Sequence, residues 1–259
     1  MRKGLYYGRI WVDALTFAEA LDAFEALVQR KKGGRVFTPN VDHIVLAEHD
    51  ARFASAYGRA DLSFADGMPL VALSRLRSVR VPEKVSGSDF MLPMLERAAK
   101  HGWRVYLLGG VEGVADTAAE RLLSRFPALQ IVGRDPARID LGASAEQRRR
   151  EIDKVAATRP DVVLVALGAP KQEIWIDEVA DALAPAVFMG VGASLDFIAG
   201  ASKRAPAWMS KAGLEWLHRM AGDPKRMVHR YLVRDAELPA ILLRQLVRKV
   251  KGERVPPPD

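Results

Sequence analysis

Asp66 lies where "SFADGMPLV", residues 63 to 71, leaves a short apolar strand and enters a Pro-led helical pattern. A carboxylate there can do one of two things. It can cap the helix that Pro69 helps to start, or it can accept a proton from an attacking hydroxyl. The second role needs polar company at neighbouring strand ends, and several stretches offer it. "RVFTPN" ends a strand on Thr38 and Asn40, both able to hydrogen-bond a substrate, although Asn is also a favoured cap for the helix that follows. "LLGGVEGVAD" sets Gly109 and Gly110 after an apolar strand and Gly113 at a helix start, which would turn backbone N–H groups and the helix dipole toward a phosphate. A plain strand-to-helix turn would use the same glycines. In "LGAPKQEIWI", Pro170 suits a first helical turn and puts Lys171 and Gln172 where a diphosphate or a nucleobase edge could be met. A solvated Lys171 and a capping Gln172 are the alternatives.

Other chemistries find less support. The five histidines show no H-E-x-x-H spacing and no two aspartates lie two residues apart, so neither a metal site nor any other cofactor is expected. A diphosphate leaving group would then need cations from side chains and helix termini. With no cysteine, the chain has no thiol nucleophile, thiolate site or disulfide. Asp135 lies at a suitable distance beyond the glycine-rich turn to meet a ribose, which keeps an NAD-dependent oxidoreductase as an alternative. Leu108, however, replaces the first glycine of a full G-x-G-x-x-G. Asp196, between Leu195 and Phe197 in "GASLDFIAG", reads as a local cap or an ion-pair member.

These residues are to be positioned by an alternation of helices and apolar strands. Thr16 and Glu19 have capping-box spacing, and Phe17, Leu21, Phe24, Leu27 and Val28 continue a helical period to about Lys32. Further helices are predicted through "VDHIVLAEHD", "PLVALSRL", a segment capped by Ser88 that stops at Gly102, "EGVADTAAERLLSRF", "AEQRRREIDKVAAT" and "PKQEIWIDEVADAL". Strands are predicted at "LSFA", "WRVYLLG", "LQIVG", "DVVLVAL" and "AVFMGVG"; the later ones are continuously apolar, as strands buried on both faces must be. The class is α/β, a Rossmann-like, mostly parallel sheet flanked by helices over residues 1–200. Ligands of such sheets sit beyond the carboxyl ends of the strands, where Thr38, Asn40, Asp66, Gly109 and Gly168 all fall.

From residue 201 to 259 the strand signal stops and a helical appendage is expected. Residues 203–259 hold 13 Lys and Arg against 6 Asp and Glu, which accounts for the whole net charge of +7, while residues 1–202 balance. Arg219, Arg226 and Arg230 lie among Trp208, Trp216 and Tyr231, a mixture that suits an anionic membrane surface as well as a solvated face. "LPAILLRQLVRKVKG" starts with Pro239 in a first turn and separates Leu242, Leu243, Leu246, Val247 and Val250 from Arg244, Arg248 and Lys251. No nucleic-acid-binding module is recognisable, so a non-catalytic membrane or nucleic-acid module is the second alternative. The N-terminus has no apolar run suited to a secretion signal, and no segment approaches the roughly 18 to 20 apolar residues of a membrane span. A cytoplasmic protein is expected.

Seven segments in order, "TPNVDH", "ADGMPLV", "VSGSDF", "LLGGVEGVA", "LGAPKQE", "GVGASLDFIAG" and "RAPAWMSKAGLEWLHR", resemble the WecG/TagA/CpsF family of bacterial glycosyltransferases. The resemblance runs from about Leu5 to Tyr231. It implies metal-independent, inverting transfer of a sugar from a UDP-sugar donor to a sugar carried on polyprenyl diphosphate, during polysaccharide or teichoic-acid assembly. The enzyme would work peripherally at the inner face of the cell membrane, and a homo-oligomer is compatible with it. By the same resemblance Asp66 is the general base, Thr38 and Asn40 lie beside the substrate, Gln172 lines the pocket, and Arg219, Arg226 and Arg230 assist the diphosphate. Two positions depart from the family pattern. Lys84 stands where an arginine is usual, keeping a charge for the donor phosphate but losing the two-pronged geometry, and His218 stands where an aromatic is common.

Overall fold

In the computed structural model, residues 2–136, 138–202 and 234–250 are described, together with 205, 206, 209, 217 and 220. The chain opens with an antiparallel hairpin, β1 (Gly4–Tyr7) and β2 (Ile10–Asp13), which the sequence reading did not anticipate. Gly8, at φ +57°, allows the two-residue turn between them. Asp13 is buried at 4% exposure but fully engaged. It accepts from Arg2 Nη2 at 2.6 Å, Trp11 Nε1 at 2.9 Å and the Ser63 N–H at 2.8 Å, so the hairpin is tied to the strand that leads to Asp66.

Helix α1 (Phe17–Gln29) starts on the expected Thr16–Glu19 capping box. Then come β3 (Gly34–Phe37), α2 (Val41–His49), α3 (Ala51–Gly58), β4 (Leu62–Ser63) and α4 (Met68–Ser74). Asp50 ends α2 and caps α3 by accepting from the N–H groups of Arg52 and Phe53. Helix α5 (Gly87–His101) is capped by Ser86 and not, as expected, by Ser88. The reason is spacing: Ser86 stands three residues before Asp89, accepts from its N–H at 3.3 Å and donates to its carboxylate at 2.6 Å. Gly102 closes the helix as predicted, at φ +68°.

The second half alternates regularly through β5 (Arg104–Gly109), α6 (Val114–Arg125), β6 (Gln130–Asp135), α7 (Ala145–Ala156), β7 (Val162–Ala166), α8 (Lys171–Val179), β8 (Val187–Gly190) and α9 (Ser194–Ala199). The last described helix is α10 (Leu238–Val250), with Pro239 in its first turn. Six strands form one wholly parallel sheet in the order β4-β3-β8-β7-β5-β6. The fold is the expected α/β class.

Strand pleating divides the core in two. Phe37, Tyr106, Leu108, Val163, Val165 and Phe188 face α2, α3, α7 and α8, whereas Val36, Val105, Leu107, Leu164 and Met189 face α1, α5, α6 and α9. Leu238 and Ile241 of α10 join the first of these clusters, so the end of the described chain packs on the α/β body. On the same helix Leu243, Leu246 and Val247 are 63%, 56% and 47% exposed. Gln245 Nε2 and Arg77 Nη2 both donate to the Tyr6 carbonyl, at 2.9 and 3.2 Å.

After β5 the chain runs outward to β6, and after β7 it runs the other way to β8. The carboxyl ends of β5 and β7 therefore flank a point where the winding reverses, the usual place for a ligand crevice.

Candidate active site

The ends of β3, β4, β7 and β8 bring most of the singled-out residues to one edge of the sheet. Thr38, just past β3, is buried at 8% exposure, and its Oγ1 lies against Gly87, where a Cβ would approach it to 3.3 Å. Asn40 caps α2 by accepting from the His43 N–H at 3.3 Å. The capping alternative for Asn40 is thus realised, which fixes its carbonyl oxygen and leaves the residue at the strand end.

Asp66 is half-buried beyond β4, and its N–H donates to the Pro39 carbonyl at 2.8 Å, holding it beside the Thr38–Asn40 segment. Gly67 occupies the cap position of α4 at φ +126°. The residue at the cap therefore has no side chain, and Asp66 stands one step outside the helix. Lys84 arrives by the same device. Val85 N–H donates to the Ala65 carbonyl at 2.9 Å, and Lys84 Nζ pairs with Asp89 Oδ2 at 3.1 Å at the start of α5.

Gly109 and Gly110 sit at the end of β5, at φ +97° and +82°. Gly109 packs so tightly that a Cβ would come within 2.4 Å of the Ala166 carbonyl, a steric demand for glycine in addition to any phosphate role. A methyl group at Gly168 or Gly192 would meet no atom within 4 Å, so open space lies over the ends of β7 and β8.

Gln172 does not cap α8, whose first position follows Pro170. It is buried at 4% exposure, its Oε1 accepting from the Gly192 N–H at 3.0 Å and its Nε2 donating to Glu173 Oε1 at 2.8 Å. A backbone N–H can only donate, so this bond fixes the orientation of the amide. Helix α8 is held in place by Arg35 of β3, which pairs with Asp177 at 3.2 Å and Asp181 at 2.7 Å, and by Trp175, wholly buried, whose Nε1 donates to Glu151 at 2.9 Å.

Behind this edge is a polar group that the sequence reading missed. Glu173 is 1% exposed, and burial pushes its carboxyl up to about 7, against the hydrogen bond from Gln172 and with the help of Asp42. Tyr57 is raised well above 10, first by burial and then by the negative charges of Glu173 and Asp66. Its hydroxyl shares a 2.7 Å hydrogen bond with His43 Nδ1. Asp42 pairs with Arg234 at 3.1 Å. Periodicity might have flagged Glu173, since its neighbours Gln172 and Ile174 are buried too, but an acid in a first helical turn ordinarily faces solvent.

Arg219, Arg226 and Arg230, with His218, lie outside the described residues. Asp135, the ribose-binding candidate of the oxidoreductase alternative, is already engaged: Lys154 pairs with it at 2.8 Å, and it hydrogen-bonds the Tyr106 hydroxyl. Among the described residues, no group of three or more His, Asp or Glu side chains is placed to hold a metal ion.

A family model for the glycosyl transferase WecG/TagA/CpsF family matches residues 6–252. The chain belongs to this family. It is 30% identical over 199 residues to an N-acetylglucosaminyldiphosphoundecaprenol N-acetyl-beta-D-mannosaminyltransferase of Bacillus spizizenii strain W23, covering 77% of this chain and 75% of the relative. It is 29% identical to the protein of the same name from Bacillus subtilis strain 168, with the same coverage. As a WecG/TagA/CpsF member the protein is a glycosyltransferase, and the oxidoreductase and non-catalytic alternatives fall away.

Proposed function

We propose that the protein transfers a sugar from a UDP-sugar to N-acetylglucosamine carried on a polyprenyl diphosphate, by a single inverting displacement with Asp66 as general base. The names of the two Bacillus relatives support the acceptor and suggest N-acetylmannosamine as the sugar moved. The observation that carries the reading is the place of Asp66, half-buried at the strand ends beside Thr38 and Asn40, with Gly67 in the cap position it might have filled.

In the reaction an acceptor hydroxyl gives its proton to the Asp66 carboxylate as its oxygen attacks the anomeric carbon. The bond from that carbon to the UDP oxygen breaks on the opposite face. Negative charge then grows on the diphosphate, which the glycine turns over β5 and β7 would meet with N–H groups, and which Lys84, Arg219, Arg226 and Arg230 would meet with cations. Thr38 and Asn40 orient the substrate beside the base, while Gln172 holds the Gly192 turn that faces it.

The acceptor is lipid-anchored, so the protein must work at a membrane surface. No helix among the described residues is long and apolar enough to cross one. We infer a peripheral attachment at the inner face, with the basic segment 201–259 meeting anionic lipid; the exposed Leu243, Leu246 and Val247 of α10 support it.

Asp66→Asn tests the central step. Turnover of a UDP-sugar panel against a short-chain polyprenyl-diphosphate-linked N-acetylglucosamine should fall by about a thousandfold, with donor binding by calorimetry retained. Substantial residual turnover would remove Asp66 as the base.

A further inference from the structure

The transfer chemistry leaves one buried acid on α8 without a task. Glu173 is 1% exposed, its Oε1 accepts from the adjacent Gln172 amide, and its Oε2 has no hydrogen-bond partner among the described residues. Among the described residues no cation lies within ion-pair distance of it. A buried carboxyl in such a position is ordinarily replaced by an apolar side chain unless its charge or its hydrogen bond is used. The one hydrogen-bonded connection of Glu173 leads to the strand ends: Gln172 passes from it to the Gly192 N–H just beyond β8.

We propose that Glu173 is a positioning residue for glycosyl transfer: through Gln172 it holds the Gly192 turn in place beside the strand ends. The inference rests on Asp66 being the base.

Its physical content lies in which charge states the cluster tolerates. The groups facing Glu173 are Gln172 on its own helix, Tyr57 of α3 with its partner His43, and Asp42 of α2, itself paired with Arg234. A neutral Glu173 adds no charge to this set. An ionised one adds a negative charge beside Asp42 and behind strand ends that must admit a diphosphate. Burial brings its titration up to about 7, within the range of an ordinary assay. A general base gains activity as it loses its proton, so an ionising Glu173 acts in the opposite sense, lowering transfer as pH rises through neutrality.

The test is the pH dependence of kcat/KM for the donor between pH 5.5 and 9, measured on the full chain. The wild type should lose about tenfold between pH 6 and pH 8.5, since a group titrating near 7 passes from mostly neutral to mostly charged over that span. Glu173→Gln keeps an oxygen for the Gln172 amide and cannot ionise, so its alkaline decline should disappear. Superimposable declines in the two proteins would overturn the proposal. Glu173→Asp is the second variant, for the case that Gln does not fold. It keeps the charge but shortens the reach to Gln172, and should retain the decline while lowering kcat more than it changes KM; a flat profile there also overturns the proposal. Asp66→Asn, run in parallel, separates the two readings. If it is inactive at every pH, an unchanged Glu173→Gln profile removes only the role of Glu173; if it is active, the base assignment and this inference fall together.

Discussion

At the scale of single residues, the thermodynamics of Glu173 follow from the same burial that gives it a use. Its carboxyl titrates near 7 in the fold and at an ordinary carboxylate value in the unfolded chain, so the native state holds a proton that the unfolded state gives up between those values. The stability this contributes is complete below the unfolded value and is lost as pH rises through about 7, a change on the order of 3 kcal/mol. Glu173→Gln should therefore gain in Tm relative to the wild type as pH is raised from 5 to 8, and equal differences at the two pH values would contradict it. Asp66 and Glu173 also show the limit of reading single residues from sequence. A carboxylate before Gly and Pro has one local signature whether it caps or abstracts a proton, and the structure adds that Gly67 and not Asp66 takes the cap position of α4. Glu173 is a first-turn acid, and the sequence does not reveal that the packing of α3 against α8 accompanies its burial.

At the scale of elements, β5, β7 and β8 were legible because each carries a continuous apolar run bounded by turn residues, and the Thr16 box and the Gly102 stop were read correctly from spacing alone. The hairpin was not. Its strands are only four residues each, and they are buried by joining a core cluster built from distant parts of the chain, while Asp13 is satisfied by Arg2 and Ser63 from either side. The sequence reading places the α5 cap at Ser88, whereas it falls on Ser86, the serine with an acid at the third helical position. Gly109 gives the sharpest prediction here. Gly109→Ala would push a methyl carbon into the Ala166 carbonyl at a left-handed φ, so urea unfolding should show a loss of about 2 to 4 kcal/mol. A smaller loss would mean that the end of β5 yields readily.

At the scale of the whole molecule, the charge is divided: a balanced sheet domain is followed by a segment carrying the entire positive excess. Removing residues 203–259 would be a poor test of membrane attachment, because Leu238 and Ile241 belong to the core cluster on the α2, α3 and α8 face of the sheet. Leu243→Glu with Leu246→Glu changes only the outward face of α10. Binding to anionic vesicles should weaken by about tenfold or more while thermal unfolding is little altered, and unchanged sedimentation with vesicles would remove this helix from the contact. The shared acceptor at Tyr6 has a practical corollary. Both lone pairs of that oxygen are taken, one by the side chain that follows the α4 segment and one by α10, so the chain's opening strand acts as a clasp between its two distant neighbours. Shortening the N-terminus past that point would loosen the C-terminal helix and the segment after α4 in a single cut.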